Sequence, residues 1–259
     1  MGILNVTPDS FSDGGVFLSR DDAVAQARRM AAEGADIIDV GGESTRPGAQ
    51  PVTPQEEMDR VIPVIEALHG EISVPISIDT SKPEVMRAAV AAGAGFINDV
   101  QALRAEGALA TAAALNVPVC LMHMQGEPRT MQDEPRYRDV VADVRDFLHA
   151  RVQAAQAAGI PASRLVIDPG FGFGKTLEHN LELLRGLKKL QGLGAPILAG
   201  LSRKSMIGKA LGLPLEQRLI ASVALAVMAV QNGARIVRAH DVGPTVEALR
   251  MWSVVYPEH

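Results

Sequence analysis

The stretch "IDPGFGFGKTLEHN", residues 167–180, crowds three glycines, a lysine and a threonine behind a strand-like apolar run. Its reading separates two kinds of α/β protein. A phosphate-binding P-loop needs G-x-x-x-x-G-K-[ST], because that spacing sets the circumference of the backbone cradle. Counting back from Gly174-Lys175-Thr176, the required glycine falls on Pro169, and from Gly170 the loop is one residue short. A proline there also removes a backbone N–H that the cradle relies on. The sequence therefore argues against a nucleotide-hydrolase loop, and the purpose of this one has to come from the rest of the chain.

Working outward, seven further apolar runs share the character of "LVIDP" (165–169). They are "GILNV" (2–6), "DIIDV" (36–40), "PISID" (75–79), "GFIND" (95–99), "PVCLM" (118–122), "PILAG" (196–200) and "ARIVRA" (234–239). Being continuous rather than alternating, they predict strands buried on both faces of a parallel sheet. Helical patterns lie between them. "TPQE" (53–56) and "SKPE" (81–84) both read as capping boxes with proline at the first helical position. "AVAQARRMAAEG", "VMRAAVAAG" and "VQAAQAAG" each close on a glycine suited to a left-handed cap. No Pro/Gly/Ser-rich linker divides the chain, so residues 1–259 are expected to form one domain. Eight strand–helix units in this length predict a single (β/α)₈ TIM barrel. The doubly wound competitor lacks its G-x-G-x-x-G after the first strand.

Bulk properties exclude several classes. A net charge of −5 argues against a nucleic-acid partner or an anionic membrane surface. The single Cys120 excludes internal disulfides and fits a reducing, cytoplasmic compartment. No basic, apolar leader precedes the first strand-like run. The most apolar segment, "LIASVALAVMAV" (219–230), is about two-thirds of the length a membrane span needs. It predicts a helix buried all round, inside the protein or at a subunit interface.

A barrel carries its active site at the C-terminal ends of its strands. Those ends supply Asn5, then Glu43, Thr45 and Arg46, then Asp79, Asn98 and Asp99, His123, Asp168, Ser202 to Lys204, and Arg238 with His240. Turn formation accounts for any one of the Asn, Asp or Ser residues, and His123 reads better as a hydrogen-bonded rim histidine than as a catalyst. The cations are harder to dismiss. Arg46, Lys204, Arg238 and His240 around one mouth of an acidic protein predict an anion site, with phosphate favoured by the number of donors. Asp79, Asn98 and Asp168 form a second group, suited to the N–H and NH₂ edge of a flat, nitrogen-rich heterocycle. The loops "TPDSFSDGG" (7–15) and "ESTRPGAQP" (43–51) follow strands 1 and 2 and are composed to close over such a ligand. His and Cys show no zinc spacing, and a lone Asn5 suggests at most a weakly held Mg²⁺ shared with substrate phosphates.

Seven segments, "GILNVTPDSFSDGG", "DVGGESTRPGA", "SIDT", "INDV", "DPGFGFGKT", "GLSRKS" and "RAHDV", together closely resemble the dihydropteroate synthase family. They lie in order at seven of the eight strand ends. The resemblance implies condensation of 6-hydroxymethyl-7,8-dihydropterin diphosphate with 4-aminobenzoate to 7,8-dihydropteroate and pyrophosphate, with Mg²⁺ as cofactor and sulfonamides as competitive inhibitors. It implies that Asp79, Asn98, Asp168 and Lys204 hold the pterin. Arg238, His240 and, through Mg²⁺, Asn5 would hold the diphosphate, with Thr45 and Arg46 closing from the second loop. Phe11, Pro47, Phe173 and Ser202 would line the aminobenzoate pocket. It further implies a homodimer. At its start the chain departs from the family pattern, in which a short segment precedes strand 1. The alternatives are a methyltetrahydrofolate-binding methyltransferase barrel, which has no use for the diphosphate cluster, and a non-catalytic pterin-binding paralogue.

Overall fold

A computed structural model describes residues 1–7, 20–44, 50–126, 131 and 134–257 of the chain. Eight short strands lie in sequence order in one parallel sheet. They are β1 (Gly2–Asn5), β2 (Ile38–Gly41), β3 (Ile76–Asp79), β4 (Phe96–Asp99), β5 (Val119–Met122), β6 (Leu165–Asp168), β7 (Ile197–Ala199) and β8 (Ala234–Val237). Each falls within or one residue beyond the apolar run that predicts it. The ring closes where β8 runs on to meet β1. Gly2 bridges Ala239 in parallel, Ile3 N–H donates to Ala239 O at 3.0 Å, and the Met1 ammonium donates to Val237 O at 2.9 Å.

The helices are α1 (Arg20–Ala32), α2 (Pro54–Leu68), α3 (Pro83–Ala91), α4 (Ala108–Leu115), α5 (Val140–Ala157), α6 (Leu177–Arg185), α7 (Ser205–Leu211), α8 (Leu219–Gln231) and α9 (Val242–Val255). At α2 the predicted capping box forms in full. Thr53 Oγ1 accepts from Glu56 N–H, and the Glu56 carboxylate accepts from Thr53 N–H at 2.7 Å. The three predicted glycine caps also form, with Gly34, Gly93 and Gly159 at φ of +97°, +120° and +96°. The box predicted at "SKPE" does not. Lys82 is the cap residue of α3 and makes no side-chain cap bond, because Ser81 donates its hydroxyl to buried Asp99 instead.

Strand alternation divides the side chains into two sets. The outward set, including Leu4, Ile38, Val40, Ile76, Ile78, Ile97, Val119, Leu121, Leu165 and Ile167, merges with the helices in one continuous core. The inward set builds two tiers. In the lower tier Phe96, Cys120, Val166 and Leu198 cluster, with Met1 and Ile236 packed against them. The upper tier, two residues further along each strand, is mostly polar and forms the floor of the site.

Within a single chain helix α8 is not buried all round. Ser222, Ala226 and Ala229 face the protein, whereas Ile220 is 82% exposed and Met228 is also exposed. Its uniform apolarity disguises two faces, of which only one packs on the barrel. Among the described residues no helix is long and apolar enough to cross a membrane.

Candidate functional site

Strand register assembles the upper tier. Asn5 pairs with Gly41, Gly41 with Asp79, and Asp79 with Asn98, while Met122 pairs with Asp168 across the barrel. Arg238 joins from β8, where its backbone N–H donates to Ala199 O at 3.0 Å. Gly41 and Gly200 stand where side chains would fill the mouth. A Cβ on Gly41 would lie 3.5 Å from Asp79 Cβ and 3.7 Å from Asn5 Oδ1, and one on Gly200 3.8 Å from Lys204 Nζ.

The polar groups of this tier hold one another. Arg238 Nε donates to Asp39 Oδ2 at 2.6 Å, and its Nη2 to Asp79 Oδ2 at 2.8 Å. Asn98 Nδ2 donates to the same Asp39 oxygen at 3.0 Å, and Ser77 Oγ to Asp39 Oδ1 at 2.5 Å. Asp39 is completely buried, so four strands converge on one carboxylate. Burial pushes the Asp79 carboxyl up to about 7, with Arg238 pulling it down and Asp39 adding repulsion. The Arg238 guanidinium is held charged by its two carboxylates against the cost of burial.

Asp168, across the barrel, is buried, and one oxygen accepts from Gly170 N–H at 2.7 Å. Burial raises its pKa, opposed chiefly by the Lys204 charge. Lys204 extends over the sixth loop, donating to Phe171 O with its ammonium 4.7 Å from the centre of the Phe173 ring. Burial pulls Lys204 down to about 8, against the pull of Asp168. Phe173 packs against Val100, Met122, Met124 and Met131.

Ser202 and His240 meet at the mouth. Ser202 Oγ accepts from His240 N–H at 3.1 Å and lies 3.0 Å from His240 Nδ1. The turn carrying Ser202 and Lys204 places Arg203 at φ +57°, secured by an Arg203 Nε bond to Asp241 at 2.9 Å and an Arg203 N–H bond to Ser222 at 2.9 Å. Glu43 Oε1 accepts from Val52 N–H at 3.1 Å and its Oε2 pairs with Lys82 at 2.6 Å, so the second loop is tied together at its two ends. Phe11, Thr45, Arg46 and Pro47 lie outside the described residues.

Three residues of the site were not singled out by reading strand ends. Asp39 and Ser77 sit two positions before Gly41 and Asp79, a period that puts them on the same inward face. Polar residues at that spacing inside apolar runs were the available signal. The third is Lys175. It is buried, its Nζ 3.0 Å from His123 Nδ1, and it donates to Gly170 O at 2.8 Å and Phe173 O at 3.0 Å. His123 is the structural histidine its sequence context suggests. It stacks edge-on against Phe147 at 4.9 Å, and burial with the neighbouring Lys175 charge lowers its pKa to about 2.

Comparison with known proteins shows the family. Residues 1–240 match the family described as pterin binding enzyme. The chain is 54% identical over 252 residues to a dihydropteroate synthase of Haemophilus influenzae, covering 97% of this chain and 92% of the relative. The dihydropteroate synthase of Xanthomonas albilineans, solved with 4-aminobenzoic acid, superposes with a TM-score of 0.93 at 57% identity, covering 99% of this chain and 92% of that one. That of Yersinia pestis, solved with a sulfonamide drug complex, superposes with a TM-score of 0.96 at 51% identity, covering 99% and 94%.

The Asp39 network makes a prediction independent of any ligand. Asp39→Asn keeps the shape but leaves Arg238 with one carboxylate and forces an amide N–H₂ against existing donors. Breaking a buried pair costs about 3–5 kcal/mol, so urea denaturation should show a loss of that order. A loss below about 1 kcal/mol would mean that Arg238 is held by Asp79 alone.

Proposed function

The chain belongs to the dihydropteroate synthases, a family of pterin-binding enzymes, and from that premise we propose how its residues condense 6-hydroxymethyl-7,8-dihydropterin diphosphate with 4-aminobenzoate. The observation that carries the reading is the upper tier itself. Carboxylate and amide acceptors for a nitrogen-rich ring lie beside half-buried cations able to receive a diphosphate, in one barrel mouth. Asp79, Asn98 and Asp168 bind the pyrimidine edge, and Lys204 donates to the ring heteroatoms. Arg238 and His240 bind the diphosphate, with Thr45 and Arg46 contributing from the second loop. Ser202 and Phe173, with Phe11 and Pro47, line the aminobenzoate pocket.

The chemistry asks little of a base. The electron-rich dihydropterin stabilises a cation at its exocyclic CH₂ as pyrophosphate departs, and the aminobenzoate nitrogen then attacks that carbon. Arg238 and His240 are placed to stabilise charge accumulating on the leaving group, which in a dry pocket is the largest available effect. Asn5 fits a role as ligand to Mg²⁺. Its Oδ1 is an amide oxygen of the hard kind that ion takes, and it lies 3.7 Å from the point where a Cβ on Gly41 would stand, so the glycine leaves space beside it. When bound there, Mg²⁺ would offset charge on the diphosphate. Among the described residues no group of three His, Cys, Asp or Glu could hold a metal.

Incubating the protein with Mg²⁺, the pterin diphosphate and labelled aminobenzoate should yield dihydropteroate and pyrophosphate, and sulfonamides should compete with aminobenzoate. Absence of product with both substrates present would overturn the reading. The two alternatives, a methyltetrahydrofolate methyltransferase and a non-catalytic paralogue, are not favoured by the similarities found.

Lys204 supplies a pH signature. The ammonium form is the donor, and it is lost as pH rises through about 8. The kcat/KM of the free enzyme should therefore fall on the alkaline side from about pH 8, and Lys204→Arg should remove that limb while lowering the plateau. An unchanged alkaline limb in Lys204→Arg would assign the titration elsewhere.

A homodimer and a cytoplasmic location complete the proposal. The buried, unpaired Cys120 supports a reducing compartment. Apolar side chains remain exposed on three neighbouring helices: Leu211 of α7, Ile220 of α8, and Met251 and Val254 of α9. Sedimentation should give a dimer for the wild type and a monomer for Ile220→Lys. A monomeric wild type would remove the dimer from the reading.

A further inference from the structure

The glycine-rich loop after β6 is held by side chains at four of its carbonyls. Gly170 O and Phe173 O receive Lys175, Phe171 O receives Lys204, and Gly174 O receives Tyr137 Oη at 2.7 Å. Its amides are engaged as well. Gly170 N–H donates to Asp168, Gly172 N–H to Asn180 at 2.7 Å, and Phe173 N–H to Gly170 O at 3.1 Å. The loop also presses against the end of β5. A Cβ on Gly170 would stand 1.9 Å from His123 O, and one on Gly174 2.5 Å from Gln125 O, with both glycines at positive φ.

Lys175 is the residue that joins these features. Only 2% of its surface is exposed, and a buried ammonium is tolerated where its hydrogens find acceptors. Its Nζ reaches three polar atoms, two carbonyl oxygens within the loop and His123 Nδ1 just past the end of β5. Burial lowers the pKa of both Lys175 and His123. Removing the lysine releases both ends of the 170–173 turn and the anchor between β5 and β6.

We propose that Lys175 is a positioning residue for the second substrate, fixing the 170–174 loop so that Phe173 is correctly placed in the aminobenzoate pocket. The assignment rests on the reading that Phe173 faces aminobenzoate, and it predicts a selective defect. The pterin is met by Asp79 and Asn98 on β3 and β4, outside this loop. Asp168 and Lys204 touch the loop at Gly170 N–H and Phe171 O but are carried by β6 and by the turn after β7, whereas Phe173 depends on the loop entirely.

The test compares wild type, Lys175→Met and the double variant Lys175→Met/His123→Leu. Replacing both members of a buried polar contact by apolar groups is close to neutral for stability, so the double variant recovers folding without restoring donors to Gly170 O and Phe173 O. The expected result is a KM for aminobenzoate raised about tenfold or more in both variants, the scale of a small misplacement in a positioned site. The KM for pterin diphosphate should change by less than about threefold. Amide hydrogen exchange in the 170–176 segment should quicken in both variants. Two results would overturn the proposal: both KM values rising alike, or the double variant regaining wild-type aminobenzoate KM, which would make Lys175 a stabilising residue only. Wild-type protein that forms no dihydropteroate would instead overturn the functional reading, and the proposal with it.

Discussion

Arg238 reaches across the closed ring from β8 to carboxylates on β2 and β3, and the rest of the barrel interior is arranged around that contact. Two carboxylates taken from water each lose several kcal/mol of hydration. A single point charge facing one of them would leave the other uncompensated. The guanidinium fork serves both at once, while Ser77 and Asn98 satisfy remaining acceptor positions on Asp39. Space for these groups comes from glycine at Gly41 and Gly200, and their floor from the apolar tier of Phe96, Cys120, Val166 and Leu198. The upper tier is therefore a unit. Its members are individually costly to bury and collectively compensated.

Much of this was legible because the strands are buried on both faces. Each apolar run is long enough for one short strand, and the glycines at 34, 93 and 159 mark real left-handed turns. The ends of the runs pointed to Asp79, Asn98, Asp168 and Arg238, since strand ends share one rim in a parallel barrel. Asp39 was not legible in that way. It lies inside its run, and its partners come from β3, from β4 and from Arg238 far along the chain. The same kind of distant contact defeated the capping box at "SKPE". Ser81 could cap α3 locally, but Asp99 is a charged, buried acceptor and takes the hydroxyl. Helix α8 illustrates a different limit. An all-apolar segment carries no periodicity from which to tell a face against the barrel from a face turned outward.

The sixth loop shows why resemblance to a phosphate cradle has to be judged by where the donors go. A P-loop turns its amides and its lysine toward an anion. Here Gly170, Gly172 and Phe173 use their N–H groups internally, and Lys175 turns away from the mouth toward His123. The glycines are needed for close approach to β5 and for positive φ, not for access by a ligand. Composition alone could not distinguish these uses, whereas the one-residue shortfall in spacing did.

On the proposed division of labour, the two ends of the pterin substrate compete for one ion pair. Asp79 is assigned to the heterocycle and Arg238 to the diphosphate, and the two bond to each other at 2.8 Å. Binding either end alone would draw on one partner and leave the other buried without its full compensation. Binding both exchanges the internal pair for two charge-assisted contacts to the same molecule. Asp39 bonds the same guanidinium through Nε, so Arg238 is tied to β2 as well as to β3. On that assignment, a ligand carrying both the heterocycle and the diphosphate would offer replacements for both partners of the pair, whereas either fragment alone would offer one.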